Sequence, residues 1–183
     1  MRVDRRSETK QWLCSLAAAT LSCAAQGQVL APDAISLALG TTQTHTPTVA
    51  ARLIWNTDWE RRLDTARFNL QLELGLASLR TARDREGTVS QLSLVPVVRI
   101  RPSDRSFFLE AGIGLSLFDR QYVRGASHMA SRWNFEDVLG AGVSFGPTQS
   151  HEIGLRLTHV SNGGLRKPNP GLNGVQVRYA TSF

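Results

Sequence analysis

Cysteine is nearly absent from this 183-residue chain, which has only Cys14 and Cys23, both inside its first 25 positions. Beyond that stretch a disulfide framework and a thiolate metal site are excluded. Also missing is an apolar run long enough to cross a bilayer as a helix, which takes about 20 residues. The run from Trp12 to Ala25 falls short of that length. No basic stripe interleaved with aromatic residues is present, so nucleic acid is not an expected partner.

What the N-terminus does hold is an export pattern. Arg2, Arg5, Arg6 and Lys10 form a basic start, the short apolar run follows, and Ala25-Gln26-Gly27 supplies small residues where a signal peptidase reads them. Residues 1–27 are therefore expected to be a removed signal peptide, and residues 28–183 a single mature domain. Removal would leave +4 of the formal charge of +6. That balance suits an anionic lipid surface without requiring one.

From there on the dominant signal is alternation with a period of two, the mark of strands with two unlike faces. Ala66, Phe68, Leu70, Leu72, Leu74 and Leu76 fall on one parity, against Arg67, Asn69, Gln71, Glu73 and Gly75. Phe107 to Leu117 repeats the pattern. Similar segments lie near 35–45, 49–57, 88–101, 133–145, 151–161 and 173–183, which makes eight strands of roughly membrane-spanning length.

Either face of such a barrel could be the wet one. In a soluble barrel the apolar face points inward, whereas an outer-membrane barrel puts the polar face in the lumen. Three features favour the second arrangement. The polar face carries both signs (Arg52, Arg67, Glu73, Glu110, Glu136, Glu152, Arg156, Arg178), which can pair in a narrow interior. Aromatic residues gather near strand ends (Trp55, Trp59, Trp133, Phe135, Phe145, Tyr179, Phe183), as interfacial girdles do. The chain also closes on an alternating strand ending in Phe183. The expected fold is all-β, an eight-stranded antiparallel transmembrane barrel of the outer-membrane type. Short turns are expected at 101–105 and 146–150, and longer outer loops at 119–132 and 160–172. Pro96 should mark a bulge or a frayed pairing, and the 58–64 connection is long for a periplasmic turn.

On the seventh expected strand Ile153, Leu155, Leu157, His159 and Ser161 share the lipid-facing parity. His159 and Ser161 thus project outward at the outer rim. A histidine two residues from a serine on one strand face offers a base beside a hydroxyl nucleophile. By spacing alone, a His-x-Ser at a strand end is more often an ordinary solvated loop start.

The longer run His159-Val-Ser161-Asn162-Gly163-Gly164-Leu165-Arg166-Lys167-Pro168-Asn169-Pro170-Gly171 resembles the active-site segment of lipid A 3-O-deacylases of the PagL type. The resemblance covers the last two strands and their loop. It implies an outer-membrane serine esterase that removes the 3-O-linked hydroxyacyl chain of lipid A. Carried over, Ser161 is the nucleophile and His159 the general base. Gly163, Gly164 and Asn169 would meet the oxyanion, Asn162 would shape the turn, and Arg166 and Lys167 would meet lipid A phosphates. No metal or cofactor is implied. The partners are lipopolysaccharide in the outer leaflet and the membrane itself, with a homodimer left open.

One position departs from the family. Where its triad carries a glutamate, this chain has Asn173, which parity places on the lipid face of the last strand. An amide can orient an imidazole, as in Cys-His-Asn sites, but it brings no charge to stabilise imidazolium. Asp137, outward on the sixth strand and expected opposite His159, is the fallback acid. A non-catalytic structural or adhesive barrel, or a related phospholipid acyl hydrolase, are the competing readings.

Overall fold

The computed structural model describes residues 31–81, 87–103 and 106–183, and the expected leader 1–27 lies outside them. Ten strands follow in order: β1 Ala34–Thr42, β2 Pro47–Arg62, β3 Ala66–Arg80, β4 Thr88–Pro102, β5 Phe107–Phe118, β6 Val123–Arg124, β7 Ser127–His128, β8 Trp133–Phe145, β9 His151–Ser161 and β10 Leu172–Ser182. Eight of them close an antiparallel barrel in the circular order β1-β10-β9-β8-β5-β4-β3-β2, with β6 and β7 forming a separate small hairpin. The eight barrel strands coincide with the eight segments of alternation.

The outside is apolar. Leu76 is 63 % exposed, Leu155 60 % and Leu139 59 %, within a belt of similar side chains around the wall. Such a contiguous apolar surface is a liability in water and a requirement in lipid. The inside is charged, and most of its charged side chains are buried. Arg156 donates to both Glu73 (Nη1 to Oε2, 2.6 Å) and Glu110 (Nη2 to Oε1, 2.6 Å). Arg52 meets Glu136 at 2.6 Å, and Arg99 joins Glu110 and Glu152, each at 2.8 Å. Arg101 and Arg178 complete the cluster on Glu152. Room for the Glu110 carboxylate comes from glycine: a Cβ at Gly140 would fall 2.7 Å from Glu110 Oε1. Arg99 and Arg101 were not among the expected lumen charges. Arg67 was, but it sits exposed and lines the mouth of the cavity opposite the outer loops.

The two ends of the lumen differ. At the outer end the loop between β5 and β8 folds over the opening and buries Tyr122 and Met129 completely against Leu79, Val89, Phe118, Val160 and Leu172. Tyr122 Oη bonds both Thr44 Oγ1 and Thr46 Oγ1 at 2.6 Å. At the other end a polar cavity of about 300 Å³ remains, lined by Arg67, Arg99, Arg101 and Glu152 among others.

Two local expectations resolve simply. β4 and β5 keep one register on both sides of Pro96, but the ladder skips Val95 and Pro96, so the pairing frays without a bulge. A proline has no N–H to give it. The long 58–64 connection is instead mostly strand: β2 runs on to Arg62, with an irregularity between Asn56 and Glu60. Thr57 Oγ1 bonds Leu70 O at 2.9 Å and accepts from Trp59 N at 3.2 Å, which holds the bulged residues. The turn proper is only Leu63–Thr65.

Candidate active site

The site is assembled by register. β9 lies between β8 and β10, and its ladders set Asp137, His159 and Asn173 side by side in one row across the outer face. Ser161, two residues further up β9, sits opposite Phe135. Because side chains alternate, His159 and Ser161 share the lipid side with Leu155 and Leu157, while Arg156 and Val160 turn inward and are buried.

His159 Nδ1 is 2.6 Å from Asn173 Oδ1. An amide oxygen only accepts, so Nδ1 carries the proton and Nε2 keeps its lone pair. That is the tautomer a general base needs. Asp137 flanks the imidazole from β8 with no bond to it. Among the described residues Ser161 Oγ makes no hydrogen bond with His159. Unliganded sites are often this loose and tighten around substrate.

Two residues with no assigned role hold this row in place. Gly171, at φ +71°, lies against the imidazole, and a Cβ there would come 2.7 Å from His159 Cε1. Gln43, in the loop after β1, ties down the chain that bears Asn173. Its Nε2 donates to Gly171 O at 3.0 Å, its N–H donates to Asn173 O at 2.8 Å, and its Oε1 accepts from Asn173 N. Gly171 belongs to the run quoted above, so sequence could flag it as a motif position. Gln43 lies 116 residues from His159 and carries no sequence signal.

The loop after β9 is organised by Asn162, which is buried. Its Oδ1 accepts from Gly164 N at 3.0 Å, and its Nδ2 donates to Arg166 O at 3.0 Å. Its own N–H donates to Asn169 Oδ1 at 3.2 Å. Gly163 and Gly164 take φ of +63° and +81°, a backbone region that favours glycine. The N–H of Gly164, expected as an oxyanion donor, is thus engaged in the turn. Gly163 N–H and the Asn169 amide N–H groups have no partner among the described residues. Arg166 and Lys167 are exposed at the rim. Below the histidine a groove of about 340 Å³ runs down the outer wall, lined by Asp137, Leu139, Leu157, Thr158, His159 and Asn173. Among the described residues there is no group of three or more His, Cys, Asp or Glu that could hold a metal ion.

An eight-stranded barrel, apolar outside and charged within, with a row of polar side chains high on its outer face, defines a class: an outer-membrane barrel. Comparison with known proteins narrows the class. Residues 47–182 match the family model described as lipid A 3-O-deacylase (PagL), and the chain belongs to that family. Lipid A deacylase PagL of Pseudomonas aeruginosa is 33 % identical over 150 residues, covering 79 % of this chain and 83 % of that protein. The protein of the same name from Bordetella bronchiseptica is 40 % identical over 97 residues, which span 53 % of this chain and 52 % of that one. The crystal structure of the outer membrane enzyme PagL superposes with a TM-score of 0.74 at 30 % identity, covering 82 % of this chain and 99 % of that chain. The location is the outer membrane.

Proposed function

We propose that Ser161, His159 and Asn173 carry the lipid A deacylation that membership of this family brings to the chain, by hydrolysis of the 3-O-linked acyl ester. The observation behind the reading is the short bond from His159 Nδ1–H to Asn173 Oδ1, beside a serine, on a surface that otherwise faces lipid. His159 Nε2 accepts the Ser161 Oγ proton as Oγ attacks the acyl carbonyl. The carbonyl–sugar oxygen bond then breaks, His159 gives the proton to the departing sugar oxygen, which leaves as a hydroxyl, and the acyl chain stays on Ser161. Water, deprotonated by the same imidazole, releases it as a free hydroxy acid. Gly163 N–H and the Asn169 amide are the donors for the oxyanion. The groove under His159 takes the departing chain along Leu139 and Leu157. Arg166 and Lys167 stand ready for the phosphates.

Asp137 has the same lateral position on the other side of the imidazole. If Asp137→Asn abolishes hydrolysis and Asn173→Ala does not, the orienting role passes to Asp137. The test of the whole reading is mass spectrometry of lipid A from cells expressing the wild type and Ser161→Ala in an outer membrane. Wild type should remove one 3-linked hydroxyacyl mass. Ser161→Ala should remove none, while still folding to a heat-modifiable band. A serine variant that deacylates as well as wild type would sink the proposal.

A further inference from the structure

A second groove, of about 540 Å³, opens on the other side of Ser161, between the β5–β8 loop and the loop after β9. Gln121, Ser131, Arg132, Trp133, Leu165 and Arg166 line it. Its walls are tied together: Ala130 N–H donates to Pro168 O at 3.0 Å, and Gln121 Nε2 donates to Ala130 O at 3.0 Å. Asn162, the residue after Ser161, forms part of its lining. The groove therefore begins where the proposed nucleophile ends.

Its charge is one-sided. No carboxylate lines it, and neither Arg132 nor Arg166 has an ion pair among the described residues. This contrasts with the lumen, where every arginine of the network meets a glutamate. Arg132 is nevertheless held, since its Nε donates to Phe118 O at 3.0 Å and leaves both Nη groups available. The Arg166 side chain makes no hydrogen bond within the described chain. Between the two guanidinium groups lie exposed apolar surfaces, Trp133 at 65 % and Leu165 at 80 %. Unpaired guanidinium groups and bare apolar side chains, at the level of the outer leaflet, complement a phosphate bonded to a sugar that also bears acyl chains.

We propose that this groove binds a phosphate of the lipid A glucosamine disaccharide, with Arg132 and Arg166 as its donors and Trp133 and Leu165 against the neighbouring acyl chains. The proposal rests on the deacylase reading above and adds to it the residues that seat the head group, Arg132 above all. Seating the phosphate there sets the ester of the adjoining sugar over Ser161.

The test compares two substrates, bisphosphorylated lipid A and the same lipid after enzymatic removal of its phosphates, presented in mixed micelles to the purified full-length protein. Wild type should show a kcat/KM about tenfold higher for the phosphorylated lipid, the scale of roughly 1.4 kcal/mol. Arg132→Gln with Arg166→Gln should erase that preference, its loss falling about tenfold harder on the phosphorylated lipid than on the dephosphorylated one. Arg166→Gln alone removes no internal bond and should take part of the preference, so the result does not hang on the loop's Arg132 contact. Excess phosphatidylglycerol should not compete. Equal hydrolysis of both lipids by wild type, equal losses on both by the variant, or full competition by phosphatidylglycerol would each overturn the groove as a lipid A phosphate site. Failure of the deacylase reading looks different, as hydrolysis that survives Ser161→Ala.

Discussion

Arg156 and His159 stand three residues apart on β9, one facing into the barrel and the other out, and the chain treats their polarity in opposite ways. Arg156 is enclosed and answered by two carboxylates, Glu73 and Glu110. His159 is half exposed and answered by a neutral amide. Inside, an uncompensated ion has no water to turn to, so cations and anions come in alternation along the whole network. Outside, a charge costs about 2–4 kcal/mol at the bilayer midplane and close to nothing near the interface. The row Asp137, His159 and Asn173 lies in the outer part of the wall, where that cost is falling. Polarity in the lumen thus has a structural reason, whereas polarity on the lipid face has none. Function is the reason that remains.

The strongest way to break this contrast is to remove a lumen cation. Arg156→Met keeps the length and the apolar stem but strips Glu73 and Glu110 of their shared partner. Glu110 keeps Arg99, but Glu73 keeps only Arg52 at 3.7 Å, and a buried carboxylate so poorly paired is expected to lower stability by about 3–5 kcal/mol. The measurement is the heat-modifiability transition, or urea unfolding in detergent, at constant pH. kcat of the folded fraction should stay within about threefold of wild type. A variant as stable as wild type with activity lost would place the lumen charges in the chemistry and end the distinction.

The same contrast governs how much the sequence reveals. Alternation exposes all eight barrel strands because each wall residue must choose lipid or lumen. It weakens where both faces are apolar: Val95 and Val97 face inward beside outward Pro96 and Val98, and there Arg99 and Arg101 went unnoticed as lumen charges. At Asn56–Glu60 the ladder slips, parity is lost, and β2 reads as a strand followed by a long turn. The β6–β7 hairpin is two residues on each side, too short for any periodicity. In the row of Asp137, His159 and Asn173, Asp137 was legible because the 146–150 turn fixes the register of β8 against β9, and Asn173 because parity and the family's triad position place it, while Gln43 reaches the row only through barrel closure. Arg67 shows the limit of parity, which gives the side of the wall but not the height, and at the mouth even an inward residue meets water.

A sharper form of the comparison changes the amide itself. Asn173→Ala should lower kcat by about 10²-fold, at the low end for a positioned acid–base group, and leave the unfolding transition in place. Asn173→Asp puts a carboxylate beside the imidazole and stabilises its protonated form. kcat should increase over that of wild type. A kcat that matches wild type would mean that the charge at 173 does not reach the base. Loss of the barrel fold in Asn173→Ala would mean that this polar residue is structural after all.

The smallest expected effect tests whether the outer face tolerates change as a merely solvated surface would. Gly171 holds φ +71° with its α-carbon against His159, and Gly125, in the β6–β7 hairpin, holds φ +55° with nothing within 4 Å of where a Cβ would be. Both backbones resist alanine, and each replacement should cost about 1 kcal/mol of stability or somewhat more. Only at Gly171 does the new methyl also press on the imidazole, because His159 Cε1 would lie 2.7 Å away. The ring must turn from Asn173 or from Ser161, and kcat should fall about tenfold, within the range a small misplacement of a catalytic group produces. Gly125→Ala, with the same strain and no neighbour, should keep kcat within about twofold. If the two variants lose stability alike and activity alike, the imidazole is mobile enough to escape the methyl. Its orientation would then come from bound substrate rather than from the row of residues that surrounds it.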